Sequence, residues 1–402
     1  MNDFGNTHFI LWIGTRVIRE GAVDKINRYA NKRVTNRIGE RMKEDKIVIL
    51  GGGNGALAFA AYLGLKGLKV HLWEFPEFRK NLEWIYQHHR IQATGEIEGE
   101  TNVKCYEDLR QALQGSTLLM AVVPAFVHRR LAEEIAPHVE ENTLLVLNPG
   151  RTGGALEVAS ILAQKGKYIP VAEAQTLLFA CRKKGEKVVH LSGIKNLLKI
   201  GVFPSKRTND VMIRLKKIFP QFQAVPDILT TSLGNIGAMF HPASALLNVG
   251  LIQSGRTYDY YRETMTRGVT KVIEKVDQER MTLAKAAGAE VFSAQAWLRE
   301  SYQLKEASLY EMLQSNPAYQ GISGPQDIHA RYITEDVPTG LVPMEAFAQL
   351  YGIPTPTISA LISIANSLIG ADFRASGRNL ERLGLHGMNP SHIPVFIKEG
   401  TR

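Results

Sequence analysis

Short, continuous apolar runs alternate with helical periods from Lys46 to about Ile228 in this chain of 402 residues. The runs are Ile47–Leu50, Val70–Trp73, a short piece near Val103–Tyr106, Leu118–Val123 and Leu144–Leu147. Apolar runs of this length, without polar alternation, suit strands buried on both faces of a parallel sheet. Helical patterns fall between them at Ala56–Leu63, Asp108–Gln114 and Val127–Ile135, where crossovers are required. The expectation is an α/β fold with a doubly wound parallel sheet over residues 46–228. Val188–Leu191 and Phe222–Val225 are expected to add strands. The texture then changes to long helical patterns such as Tyr258–Ala287 and Met344–Gly352. Residues 229–402 are therefore expected to form a second, mostly α-helical domain.

Residues 1–45 precede the first strand, where such sheets normally begin. Ile26, Ala30, Val34, Ile38 and Met42 recur at helical spacing, with Arg28, Lys32, Arg33, Arg37 and Arg41 mostly on the other faces. An amphipathic helix is predicted there. Packing on the body of the protein or on a second subunit is the expected fate of its apolar stripe, and together with the long helices it points to a homodimer.

The turn after the first strand is the most informative local feature. Gly51-Gly52-Gly53-Asn54-Gly55-Ala56 joins a buried strand directly to a helix. In such a turn Gly51 permits the sharp bend, Gly53 lets backbone approach a pyrophosphate, and Ala56 allows close helix–strand packing. Asn54 and Gly55 open the helix whose free N–H groups face the anion. The second strand ends on Glu74, which falls 23 residues after Gly51, near the spacing at which a carboxylate meets the adenosine ribose hydroxyls. The reading is a dinucleotide seat for NAD, because Glu74 repels a 2′-phosphate. Arg79 nearby keeps NADP open. The loops after later strands, Pro124–His128 and Asn148–Gly154, are expected to border the nicotinamide.

Composition narrows the class without changing the fold. With 45% hydrophobic and 22% charged residues the chain is not of disordered type. Cys105 and Cys181 are its only cysteines and form no CxxC pair, which points to a reducing, cytoplasmic setting and to no metal site. No apolar run approaches the length of a membrane span. The net charge of +9 lacks the clustered Lys, Arg and aromatic interleaving of a nucleic-acid surface, and steering of anionic substrates accounts for it.

The seat supplies a hydride carrier, so proton chemistry is sought in the helical half. His241 lies in the apolar stretch Leu233–Asn248, with Asn248 on the same helical face seven residues later. Arg331-Tyr332-Ile333-Thr334-Glu335-Asp336-Val337-Pro338 places a fork-shaped cation and two acids in one short segment. Taken separately, these features are equally compatible with a satisfied core histidine and an ordinary surface ion pair.

Together with Asn148-Pro149-Gly150, Gly153–Glu157, Glu173-Ala174-Gln175-Thr176-Leu177, Ala180-Cys181-Arg182 and His241-Pro242, they make the sequence resemble the octopine and nopaline (opine) dehydrogenase family from about Lys46 onward. The resemblance implies a Rossmann domain joined to a helical substrate domain. It also implies NAD(P)H-dependent reductive condensation of an amino acid with a 2-oxo acid, such as pyruvate, through an imine. It assigns the catalytic histidine to His241, its dyad aspartate to Asp336, the carboxylate-binding arginine to Arg331 and an active-site aromatic to Tyr319. Gly237 departs from members that carry asparagine near the histidine. A ketopantoate- or glycerol-phosphate-type reductase and a non-catalytic NAD-binding protein are the alternatives.

Overall fold

The structure is a computed structural model that describes residues 46–401, so the expected amphipathic segment 1–45 lies outside the described residues. Its main sheet has eight strands in the order β12-β11-β8-β7-β6-β1-β2-β5. They are β1 (Lys46–Leu50), β2 (Val70–Trp73), β5 (Lys104–Tyr106), β6 (Ser116–Ala121), β7 (Leu144–Leu147), β8 (Val171–Ala174), β11 (Leu198–Phe203) and β12 (Phe222–Ala224). β5, β2, β1, β6, β7 and β8 run parallel, whereas β11 pairs antiparallel with β8 and carries β12 beside it. The chain winds outward from β1 through β2 and β5, then restarts on β1's other side with β6. That reversal opens a crevice at the carboxyl ends of β1 and β6.

A second sheet, absent from the sequence expectation, has the order β4-β3-β10-β9. The hairpin β3 (Arg90–Gly95) and β4 (Gly99–Asn102) is inserted between β2 and β5, and β9 (Phe179–Lys184) with β10 (Val188–Ile194) lies between β8 and β11. Val188–Leu191 is thus a strand, but of this sheet and not of the main one. Its alternating burial looks the same whichever sheet it joins, so only its partner reveals the second layer.

Helix α1 (Asn54–Leu65) lies between the two sheets. Its residues Ala56–Leu63 are all buried, and Phe59 meets Phe179 of β9 at 4.7 Å between ring centroids. A helix that is apolar all round needs cover on every side, and the second sheet provides it.

Beyond Ala224 the elements among the described residues are helical. α4 (Ile228–Leu233) follows the crossover helices α2 (His128–Ile135) and α3 (Gly154–Gln164), and α5 (Gly237–Leu246) carries His241. The expected long helix over Tyr258–Ala287 is divided. A π-turn at Tyr260–Thr264 ends at Met265, and Thr266 caps α6 (Arg267–Ala286) by accepting from the Val269 N–H. One continuous hydrophobic core joins Leu50 and Leu147 of the sheet to Met239, Leu246 and Phe347 of the helices.

Buried charge fastens the helices to the sheet. Arg378 is fully buried, with Nε bonded to Glu157 on α3 at 2.7 Å. Its other nitrogens donate to the carbonyls of Ala125, Gly150 and Thr152. These carbonyls belong to the loops that leave β6 and β7. Substituting Arg378→Met should therefore cost about 3–5 kcal/mol of stability, because three carbonyls and part of a buried carboxylate lose their partner. Urea denaturation followed by circular dichroism measures this; an unchanged midpoint would remove the fastening role.

Candidate active site

The glycine turn sits at the switch-point crevice. Gly51 adopts φ +125°, and a Cβ there would lie 2.5 Å from the Val122 carbonyl oxygen, so the bend requires glycine. Nothing lies within 4 Å of a Cβ built on Gly53, which caps α1 without any side-chain hydrogen bond. The amides at this helix start are free for an anion. A Cβ on Gly55 would meet Val122 at 3.0 Å, which keeps α1 close against the end of β6. Asn54 has a fastening bond instead: its Oδ1 accepts from the Lys183 N–H at 2.8 Å and ties the turn to β9.

Glu74 is buried at the end of β2, where its Oε1 accepts from the Phe75 N–H at 2.8 Å. Burial pushes its carboxyl up against the opposing pull of that amide and of Gly52. Arg79 is held by Glu107, 3.6 Å away. The turn and Glu74 fit the adenosine and pyrophosphate ends of NAD(P).

His241 and Asp336, 95 residues apart, meet: His241 Nδ1 lies 2.8 Å from Asp336 Oδ2. With the carboxylate ionised, Nδ1 is the donor and Nε2 is left as the free basic nitrogen. Asp336 is buried, and desolvation alone would raise its pKa. The Arg151 guanidinium and His241 outweigh that and hold it below the ordinary aspartate value of 3.8. Tyr332 stacks on the imidazole at 4.3 Å, fixing the ring from one side. His241 keeps 18% of its side-chain surface open.

Arg331 starts helix α7 (Arg331–Thr334), with 58% of its side chain exposed, and is paired to Glu335 one turn on. Glu335 also accepts from the Ala125 N–H at 2.8 Å, docking this segment onto the loop that begins at Pro124. Arg151, which the sequence reading placed in a cleft-bordering loop without singling it out, enters from the other side. Its nitrogens lie 3.5 Å from Asp336 Oδ1 and 3.9 Å from Glu335 Oε2.

Two expected site residues lie apart from the dyad. The Asn248 amide donates to the carbonyls of Ser244 and Thr264, closing the end of α5. Tyr319 is buried and stacks on Tyr261 at 3.9 Å, with Tyr261 and Tyr260 between it and His241. Tyr332 was missed, although its place beside Arg331 was a signal. Glu173, one of the motif residues, is fully buried and accepts from Ala155, Thr231 and Ser232, so it organises the loop after β7.

Residues 224–369 match the family described as NAD/NADP octopine/nopaline dehydrogenase, alpha-helical domain. Residues 46–164 match the N-terminus of NAD-dependent glycerol-3-phosphate dehydrogenase. An opine dehydrogenase of Arthrobacter sp. (strain 1C) is 39% identical over 353 residues, covering 87% of this chain and 98% of the relative. A vitopine synthase of Allorhizobium ampelinum is 26% identical over 355 residues, covering 87% of this chain and 98% of the relative. The solved structure of an octopine dehydrogenase with NADH and L-arginine shares the fold, with a TM-score of 0.75 at 21% identity over 89% of this chain and 98% of that one.

Two outcomes follow from the site. Glu74→Ala should raise kcat/KM for NADPH relative to NADH by roughly tenfold or more, since it removes a like charge from the 2′-phosphate position; steady-state kinetics with both coenzymes measures it, and an unchanged ratio would count against the contact. Asp336 has a folded pKa below its unfolded value, so its stabilisation is present above about pH 4 and is lost as pH falls through the lower folded value. The urea-midpoint gap between wild type and Asp336→Asn should accordingly persist at pH 5–7 and shrink below about pH 4. A gap independent of pH would mean that the carboxyl is not held ionised by its neighbours.

Proposed function

The chain belongs to the opine dehydrogenase family, and on that premise we propose that it joins an amino acid to a 2-oxo acid such as pyruvate by reductive condensation, and catalyses the reverse oxidation. The observation that carries this reading is the 2.8 Å contact between His241 and Asp336, beside an arginine that offers a carboxylate grip.

An amino acid arrives as an ammonium ion and cannot attack a carbonyl until it loses a proton. His241 Nε2 accepts that proton, and the nearby carboxylate of Asp336 stabilises the imidazolium that results. The freed amine adds to the carbonyl carbon of the oxo acid. A proton of the added amine passes to the alkoxide oxygen, and the imidazolium returns its own proton to the resulting hydroxyl as it departs, releasing water and leaving the protonated imine. NAD(P)H, which the Gly51–Ala56 turn and Glu74 would hold, would supply the hydride for the reduction. Arg331 holds the oxo acid carboxylate with its planar fork, and Tyr332 keeps the imidazole from turning. Orientation of this kind contributes several kcal/mol to lowering the barrier, and proton transfer about 10²–10⁴-fold in rate.

Two further assignments belong to this reading. Cys105 and Cys181 are both unpaired, which suits the reducing cytoplasm. The amphipathic pattern of residues 1–45 suits a homodimer, which sedimentation equilibrium tests. No helix among the described residues is long and apolar enough to cross a membrane.

The decisive experiment follows NADH consumption with pyruvate or 2-oxoglutarate against each amino acid, with mass analysis of the product. Consumption that needs both partners and yields their dehydrated, reduced conjugate supports the reading, whereas reduction of the oxo acid without an amine points to a keto reductase. His241→Ala should keep NADH affinity within about twofold while kcat falls about 10²–10⁴-fold. Undiminished turnover in that variant would place the proton transfer elsewhere.

A further inference from the structure

Arg151 has no part in the steps above, yet its position is expensive to build. It follows Gly150 in the loop after β7 and holds φ at +60°, the left-handed region that a side-chain-bearing residue adopts at a cost in strain. Its guanidinium rests against the bare backbone of Gly237: a Cβ there would fall 2.6 Å from Arg151 Nη1, so the guanidinium would have to shift. The guanidinium is thus packed against the start of α5, beside the Asp336 carboxylate.

That cation is under-used by its neighbours. A guanidinium carries five N–H donors. Asp336 and Glu335 lie at ion-pair distances of 3.5 and 3.9 Å, but among the described residues no hydrogen bond reaches Arg151, and its Nε is buried without a partner. Its side chain is 17% exposed, close to the 18% of His241. Charge points the same way. With His241 neutral, Arg151 and Arg331 balance Asp336 and Glu335; without Arg151 the cluster would be net negative. Two organic acids must enter this cleft, each with a carboxylate, and Arg331 already shares its fork with Glu335.

We propose that Arg151 is a second carboxylate-binding side chain of the cleft, so that Arg331 and Arg151 each take one of the two carboxylates of the amino acid and 2-oxo acid. This rests on the condensation reading above. Both acids are then oriented before the carbon–nitrogen bond forms, with the amine at His241 and the carbonyl carbon turned towards it. Arginine suits this role better than lysine, because a planar fork fixes the angle of a carboxylate as well as its position.

The test compares KM for the amino acid, the oxo acid and NADH in wild type, Arg151→Gln and Gly237→Ala. In the second variant the guanidinium remains but its seat is filled. Because Arg331 takes the oxo acid, Arg151→Gln is expected to raise KM for the amino acid about tenfold or more, leaving the oxo acid and NADH within about twofold. A rise for the oxo acid instead overturns the division of the two carboxylates between Arg331 and Arg151. Gly237→Ala should raise the same KM, and does so even if Arg151→Gln fails to fold; Arg151→Lys should restore part of the loss. If both variants keep both KM values and only kcat and the acid limb of its pH profile change, Arg151 acts through Asp336 and the proposal is overturned. A rise in KM for NADH alone overturns it too. Wild-type turnover is measured first: its absence defeats the functional reading itself, whereas turnover with unaltered KM in the variants defeats only this assignment.

Discussion

A buried guanidinium has to be paired on every side, and Arg378 meets that requirement by spanning the fold. Its partners at Ala125, Gly150, Thr152 and Glu157 lie more than two hundred positions earlier in the chain, on the loops and the helix that follow β6 and β7. Its own backbone N–H bonds the Pro338 carbonyl, and the Thr152 N–H bonds that of Thr339. The segment carrying Asp336 is thereby set against the two loops that frame the coenzyme crevice. None of these pieces can shift alone without exposing an unpaired charge or carbonyl to an apolar interior.

The chemistry is built on that frame by balancing charges. Glu335 and Asp336 are adjacent and buried, an arrangement that would repel itself and take up a proton if left alone. Arg331 from the cleft mouth and Arg151 from the β7 loop compensate them. Asp336 consequently stays ionised and orients His241, while the imidazole keeps an open edge for a proton. Glu335, which a sequence reading would pass over as a neighbour of the aspartate, holds Arg331 on one oxygen and the Ala125 amide on the other. The same acid therefore holds the Arg331 guanidinium and seals the segment to the sheet.

Much of this was legible in the chain because it depends on local pattern. Continuous apolar runs marked β1, β2, β6 and β7, the three-glycine turn marked the crevice, and Glu74 fell at the expected interval. His241, Arg331 and Asp336 were singled out by the family resemblance that the ordered motifs carry, not by residue type alone. Other residues looked the same in sequence whether they were catalytic or structural. Asn248 shares a helical face with His241, yet its amide goes to two backbone carbonyls; Glu157 and Glu173 sit in the recognisable motifs as fasteners of loops.

What the sequence determined by itself is what periodicity and backbone sterics govern: which stretches are strands or helices, where only glycine can bend the chain, and which side chains have the chemistry to move a proton or grip a carboxylate. Tertiary structure alone decided the second sheet that covers α1, the stacking of Tyr332 and the entry of Arg151 beside Gly237, and it supplied the 2.8 Å contact of His241 with Asp336 that the resemblance had implied. Each of these depends on a partner far away in the chain, and a local pattern records that a residue will be buried without recording against what.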